Sequence, residues 1–296
     1  METGSSVDDS LTVQVVGAGT VGEALGKALV EWGQDVVFKD VDESVCDTLA
    51  ADGYRTARLE TPVDADLSLV AVPTPLDRDG TGFATEALED ALKRLATQQA
   101  GVVSIHSTLI PGTLGRIAQA NGIEHYAVVP EFLFADRACR DALTTEDLLV
   151  GANTDLAFRT IERAFAPGRT NIRRTSPPEA ALVKLASNAF AATRISFANQ
   201  IWRLANRIET VRGLDVDAAD ALAHFRRLSP WVGTEDGLEG GRPYGGHCLP
   251  KDTRALSSWA DTVVAAEMHQ LEGTIRENET MQRYEGARSE PEINGE

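Results

Sequence analysis

Two glycine-containing segments hold the residue types best suited to chemistry. The first, Gly17-Ala18-Gly19-Thr20-Val21-Gly22, fits the spacing G-x-G-x-x-G. It follows a β-branched run, Leu11–Val16, and opens a segment with apolar residues at helical spacing: Ala24, Leu25, Ala28, Leu29 and Trp32. In that setting Gly17 allows a tight turn, Gly19 lets a pyrophosphate approach the backbone, and Gly22 lets helix and strand pack closely. The helix N-terminus, with Thr20 and Val21, then faces the phosphates. Asp40 lies 18 residues beyond Gly22, at the end of the next strand-like run, Asp35–Lys39. A carboxylate there binds the adenosine ribose hydroxyls and repels a 2′-phosphate, so the expected cofactor is NAD rather than NADP. The plain alternative is a Gly-rich turn without a ligand. Strand, helix and acid in the right order favour the cofactor.

The second segment is Gly245-Gly246-His247-Cys248-Leu249-Pro250-Lys251-Asp252. Two glycines bring the backbone of Cys248 within reach of a ligand. A thiol beside a cation such as Lys251 can ionise near neutral pH and act as a nucleophile. A free cysteine is more often a small buried hydrophobe. Cys46, on an amphipathic stretch, and Cys139, between Ala138 and Arg140, read that way. A Gly-Gly turn flanked by His, Pro, Lys and Asp does not. Lys184 and Asn188 are four residues apart in a helical stretch, so they project from one face. An ammonium and an amide donor together suit the oxyanion formed when a thiolate attacks an aldehyde. A solvated helix face is the ordinary reading of such a pair, and the Cys248 segment tips the choice.

These residues need elements to position them. Further strand-like runs lie at Leu67–Val72, Val102–His106, Tyr126–Val129 and Leu148–Val150, with helical stretches such as Glu86–Gln99 and Thr113–Ala120 between them. The alternation predicts an α/β fold, an N-terminal Rossmann domain with a doubly wound parallel sheet. Past Pro177-Pro178 strand signals cease. Glu179–Arg212 reads as one long amphipathic helix, and Val216–Phe225 and Thr253–Thr262 as further helices. The expected domains are an NAD-binding unit over 11–178 and an all-helical central unit over 179–284, with disordered tails at 1–10 and 285–296.

Acidic residues outnumber basic ones 45 to 28, for a net charge of −17, which argues against nucleic acid as a partner. Only 5 of the 28 basic residues are lysine. A carboxylate-rich, lysine-poor surface suits a salt-rich cytoplasm, where self-repulsion is screened. Apolar stretches are short and broken by charge, so no membrane association is expected. The first ten residues have neither the basic flank nor the apolar core of a signal peptide, which points to the cytoplasm. Three widely spaced cysteines make neither a disulfide framework nor a zinc cluster, so no metal site is expected.

Five ordered segments resemble the UDP-glucose/GDP-mannose dehydrogenase family, from the Gly-rich turn to about residue 272. Ala71-Val72-Pro73-Thr74-Pro75 is similar to its loop after a central strand of the NAD domain. Ser107-Thr108-Leu109-Ile110-Pro111-Gly112-Thr113 is similar to its S-T-x-x-P-G-T, and Pro130-Glu131-Phe132-Leu133 to its P-E-F-L. The segment Lys184–Phe190 is similar to its K-x-x-x-N helix, and the Cys248 segment to its G-G-x-C-x-P-K-D. The resemblance implies oxidation of the C6 alcohol of a nucleotide sugar to the uronate, with two NAD consumed and a thiohemiacetal and then a thioester on Cys248. It implies that Pro73, Thr74 and Thr108 contact NAD, that Thr108, Glu131 and Asp252 position or activate water, and that Lys184 and Asn188 hold the oxyanion. It also implies a homodimer built on the 179–212 helix. Two departures stand out. The chain ends where the family's third, nucleotide-binding domain is expected to begin. The second glutamate usual after P-E-F-L is Ala135 here, with Asp136 beside it. Two other classes therefore stay open: an NAD-binding relative that works with a partner subunit, and a two-domain β-hydroxyacid-type dehydrogenase.

Overall fold

The computed structural model describes residues 10–98, 100–232 and 238–289. The chain divides into two compact units: residues 1–75 with 83–184, and residues 76–82 with 185–296.

In the first unit, strands and helices alternate as β1 (Thr12–Val16), α1 (Thr20–Glu31), β2 (Asp35–Lys39), α2 (Glu43–Ala51), β3 (Arg55–Thr56), β4 (Leu67–Val70), α3 (Glu86–Leu95), β5 (Val102–Ile105), α4 (Thr113–Asn121), β6 (Tyr126–Val128), a 3-10 turn (Ala135–Arg137), α5 (Ala138–Thr144), β7 (Asp147–Ala152), α6 (Asp155–Phe165) and β8 (Asn171–Thr175). They form one eight-stranded sheet in the order β3-β2-β1-β4-β5-β6-β7-β8. The order reverses between β1 and β4, the place where doubly wound sheets open a crevice for ligands. The expected parallel sheet needs one amendment. β6 and β7 pair antiparallel, so β7 and β8 run opposite to the rest. β3 and β8 carry no hydrophobic alternation. β8 (NIRRT) is an edge strand of exposed and half-buried residues, which is why pattern reading passes over it. The central strands β4 and β5 are buried throughout, as strands covered on both faces must be.

A row of polar side chains lies within this buried sheet. Lys39 Nζ donates to Gln14 Oε1 at 2.9 Å and to the Thr61 carbonyl at 2.6 Å, while Gln14 Nε2 donates to Ser68 Oγ at 2.8 Å. Each buried donor thus finds an acceptor, as burial requires. Burial nonetheless holds the pKa of Lys39 below its ordinary value. Helix α1 ends as expected at Gly33. The Gly33 N–H bonds to the Val30 carbonyl and the Gln34 N–H to the Leu29 carbonyl, with Gly33 left-handed at φ 86°.

The second unit contains most of α7 (Pro177–Arg212), then α8 (Ala218–Leu228), α9 (Leu249–Thr262) and α10 (His269–Ser289). A small core of Ala198, Leu222 and Leu238, with Trp202 and Phe225 packed on it, ties α7 to α8. Helix α7 starts at Pro177, two residues before the expected Glu179, because Pro is well tolerated in a first helical turn. Ser176 and Glu179 cap it reciprocally. Glu179 Oε2 accepts from the Ser176 N–H at 3.0 Å, and Ser176 Oγ from the Glu179 N–H at 3.4 Å. The expected tail starts at residue 285, and α10 runs on into its first five residues. Helix α10 continues to Ser289, because Glu, Ala and Arg favour helix and no proline occurs before Pro291. The rest of the expected tails, residues 1–9 and 290–296, lies outside the described residues, as do Gln99 and residues 233–237. Among the described residues no helix is long and apolar enough to cross a membrane, and no cluster of His, Cys, Asp or Glu could hold a metal.

Candidate active site

The Gly-rich turn sits where the strand order reverses. A Cβ on Gly17, at φ 89°, would lie 2.7 Å from the Ala71 carbonyl oxygen at the end of β4. A Cβ on Gly22 would lie 1.9 Å from the Gly17 carbonyl oxygen. Both positions therefore exclude a side chain, for the packing reason that the spacing implied. At Gly19 nothing lies within 4 Å of an added Cβ, so its open side is space that a pyrophosphate can use. Gly19 caps α1, and the free N–H groups of its first turn are the donors for such an anion. Thr20 is exposed at that terminus, while Val21 packs half-buried on the core.

Asp40 closes this turn from the side. Its Oδ2 accepts from the Ala18 N–H at 2.7 Å and its Oδ1 from the Asp42 N–H at 2.9 Å. A cleft of about 460 Å³ opens beside it, lined by Asp40, Val41, Cys46, Thr56, Arg58 and Arg94. Adenosine-sized space next to a fixed carboxylate is what a dinucleotide needs. Cys46 is half-buried at this cleft rather than core, and burial raises its thiol pKa. Cys139 is exposed on α5, contrary to its reading as a buried hydrophobe. It faces a second cleft, beside Gly19, Thr20 and Asp136. Asp136 itself is exposed in the 3-10 turn that starts at Ala135.

The loops after β4 and β5 brace each other. Thr74 Oγ1 donates to the Thr108 carbonyl at 2.8 Å, and Ser107 Oγ to the Val72 carbonyl at 2.6 Å. The Thr74 hydroxyl, buried at 6% exposure, is thus occupied within the protein, whereas Pro73 is exposed and Thr108 half-buried.

Glu131 follows β6. Its side chain is buried, with Oε1 3.0 Å from His106 Nδ1, and its main-chain carbonyl accepts from Lys184 Nζ at 2.7 Å. The ammonium of Lys184 also lies over the Phe132 ring, 5.1 Å from its centre. Arg169 is buried nearby and donates to the Thr145 carbonyl. Burial lowers its pKa, and the charge of Glu131 acts in the opposite direction. Sequence reasoning found neither His106 nor Arg169. His106 closes an apolar strand run, and a lone polar residue at that point was the available signal.

In the second unit Cys248 is exposed and caps α9, with Pro250 in the helix's first turn. The chain before it is anchored at Tyr244. The Tyr244 N–H donates to Asn278 Oδ1 at 2.7 Å, and Asn278 Nδ2 donates back to the Tyr244 carbonyl at 3.1 Å. Burial pushes the Tyr244 phenol up to about 12. Gly246, at φ 74°, turns the chain in a left-handed conformation that side chains resist. Asp252 is fully buried. Asn188 Nδ2 donates to its Oδ2 at 2.5 Å and Lys251 Nζ to its Oδ1 at 2.7 Å. The positive charge expected beside the thiol is thus paired with Asp252. Earlier in the chain, Phe225, Val232 and Leu238 join the small α7–α8 core.

Comparisons with known proteins identify the family and the fold. Residues 54–168 match the NAD-binding domain of the UDP-glucose/GDP-mannose dehydrogenase family, and residues 178–280 match its central domain. The UDP-glucose 6-dehydrogenase AglM of Haloferax volcanii is 31% identical over 287 residues, which cover 83% of this chain and 64% of that protein. The UDP-glucose 6-dehydrogenase YwqF of Bacillus subtilis is 30% identical over 306 residues, which cover 92% of this chain and 67% of that protein. The chain therefore spans about two thirds of the length of these relatives. The solved structure of a UDP-glucose dehydrogenase from Pyrobaculum islandicum matches with a TM-score of 0.82 at 27% identity, over 94% of this chain and 70% of that one.

Proposed function

Because the chain belongs to the UDP-glucose/GDP-mannose dehydrogenase family, we propose that it oxidises the C6 alcohol of a nucleotide sugar, UDP-glucose-like or UDP-N-acetylhexosamine-like, to the uronate. The cofactor is NAD, held by the Gly17–Gly22 turn and Asp40 with Pro73, Thr74 and Thr108 beside it. Bound NAD supplies the hydride acceptor for each of two oxidations.

The chain's own residues do the rest. The thiolate of Cys248 adds to the C6 aldehyde, which becomes a thiohemiacetal. Lys184 and Asn188 donate to the oxyanion that forms, where a single well-placed donor is worth about 3 kcal/mol. Loss of the second hydride leaves a thioester. Thr108, Glu131 and Asp252 position and activate the water that releases the acid and frees the Cys248 thiolate. The observation that carries this reading is the placement of Cys248: exposed, at the N-terminus of α9, four residues before the buried Asp252 that Asn188 grips.

The protein works in the cytoplasm as a homodimer packed along α7. On that helix Val183, Phe190, Phe197, Leu204 and Val211 recur every seven residues, each between 44% and 62% exposed. A seven-residue apolar repeat is the pattern of helix-on-helix packing.

The test is a panel of nucleotide sugars with NAD at high and low salt, followed by single turnover of the native protein and of Cys248→Ser on the substrate found. Two equivalents of NADH and an acid are expected from the native protein. The serine variant should still bind NAD and release at most one equivalent of NADH with an aldehyde. A serine variant as active as the native protein would sink the mechanism. NAD binding without oxidation of any nucleotide sugar would turn the reading to a non-catalytic relative.

A further inference from the structure

The histidine behind Glu131 has a defined hydrogen-bonding state. The side chains of His106 and Glu131 are 0% and 8% exposed, and Nδ1 lies 3.0 Å from Oε1. A ring nitrogen and a carboxylate oxygen cannot face each other at that distance by lone pairs alone, so a proton lies between them. On the far side of the ring, Nε2 is 3.1 Å from Ser104 Oγ. The other acceptor available to that hydroxyl, the Ser68 carbonyl, is 3.5 Å away, at the limit of a hydrogen bond. The shorter contact favours Ser104 donating to Nε2, which puts the ring proton on Nδ1, facing Glu131. The ring is also stacked against Phe165, with centres 6.2 Å apart. Glu131 is then fixed at two points: its carbonyl by Lys184 and its Oε1 by His106.

We propose that His106 is a positioning residue for thioester hydrolysis. By occupying Oε1 of Glu131, it stops the carboxylate from turning and reserves Oε2 for the attacking water. The inference rests on the reading above, in which Glu131 is one of the residues that activate the water, and assigns it the water's proton. Ala135 leaves no second carboxylate two residues past Leu133, so the orientation of Glu131 matters more here. The step balances without a further reactant. The water oxygen bonds to the thioester carbon, its proton passes to Oε2, the C–S bond breaks and Cys248 leaves as thiolate. His106 gives up no proton.

The test compares His106→Leu, His106→Asn and Glu131→Gln with the native protein. NAD titration and melting curves separate loss of fold from loss of function. Rapid mixing with the nucleotide sugar found by the screen should give a two-equivalent NADH burst from His106→Leu and from Glu131→Gln. A stall with an acyl group on Cys248, visible by mass, should follow. Turnover of His106→Leu should fall by about 10- to 100-fold, less than removal of the base itself costs. His106→Asn, whose amide can donate near the place of Nδ1, should recover most of that loss. Unchanged turnover in His106→Leu, or a loss with no burst, overturns the proposal. An arm without substrate reads the ring nitrogens by 15N NMR in the resting protein. A proton on Nδ1 and a shift of that signal in Glu131→Gln are expected, and a proton on Nε2 alone overturns the proposal. If the native protein oxidises no nucleotide sugar, the parent reading falls, and the NMR arm still decides whether His106 holds Glu131.

Discussion

Asn188 on α7 and Asp252 on α9 are joined side chain to side chain, Nδ2 to Oδ2, at 2.5 Å, and Asp252 is wholly enclosed. A buried carboxylate keeps its charge cheaply only while its donors stay in place. Asn188→Ala should therefore lower unfolding free energy by about 1.5–3 kcal/mol, the range for a hydrogen bond to a charged group. Asp252→Asn should cost at least as much, because it removes the carboxylate charge that both the Asn188 amide and the Lys251 ammonium face. Urea denaturation of both variants checks this. Two variants as stable as the native protein would mean that the contact carries no stability.

Gly22 and Gly19 of the proposed cofactor turn should separate cleanly. Gly22→Ala drives a methyl into the Gly17 carbonyl and should destabilise the first unit by about 1–3 kcal/mol. Gly19→Ala meets nothing within 4 Å at an ordinary negative φ, so its melting temperature should hold while NAD affinity falls. Thermal melts with and without NAD distinguish the two. Equal melting loss at both positions would remove the argument.

On the proposed reading, Asp40 sets the choice between dinucleotides. The native protein should prefer NAD over NADP, and Asp40→Ala should narrow that preference while loosening the turn that Ala18 N–H ties to it. Fluorescence titration with both dinucleotides is the measurement, and equal native affinities would contradict the role.

Glu179 gives a pH signature. Hydrogen bonds from the Thr175 hydroxyl and from the Ser176 N–H and hydroxyl lower its pKa from 4.5 to about 2. The folded value lies below the unfolded one, so the stabilisation is complete above about pH 4.5 and is lost as pH falls toward 2. The melting-temperature gap between native protein and Glu179→Gln should be constant from pH 7 to about 5 and close progressively below. A gap independent of pH would show that the carboxylate charge plays no part.

Along α7, Phe190→Glu combined with Leu204→Glu should convert the proposed dimer to monomer, because charge would enter the apolar repeat. Phe197 is a poorer choice, since its ring already packs 5.8 Å from that of Phe225 in the same chain. Light scattering at high salt and micromolar concentration reads the outcome. A monomeric native protein would end the proposal.

Much of this scaffold was legible because apolar periodicity and glycine spacing report backbone geometry directly. β1, α1 and β2 are where Leu11–Val16, the glycines and Asp35–Lys39 placed them. β8 was illegible because an edge strand need not bury anything, and the β6–β7 reversal leaves no local trace. Cys248, Lys184 and Asn188 could be picked out by residue type and spacing. That Lys184 grips the Glu131 carbonyl, and Asn188 the Asp252 carboxylate, could not, since each bond joins residues more than fifty positions apart. His106 escaped because its partner, Glu131, lies 25 positions further along the chain. Only the fold brings β5 beside the residue that follows β6.

Helix α7 passes from the first compact unit into the second without interruption, and the division falls between Lys184 and Leu185. Lys184 and Asn188 are therefore spaced by the rise of an α-helix, about 6 Å for four residues. A loop at this junction would let that separation breathe with every thermal excursion of the chain. A hydrogen-bonded rod does not, so the helix serves as a ruler for the ammonium and the amide. Lengthening that ruler by one residue between 184 and 188 would swing the two side chains apart by about 100° of helical turn. They would no longer project from one face of α7, even though both residues, and every hydrophobic position elsewhere in the chain, were still present.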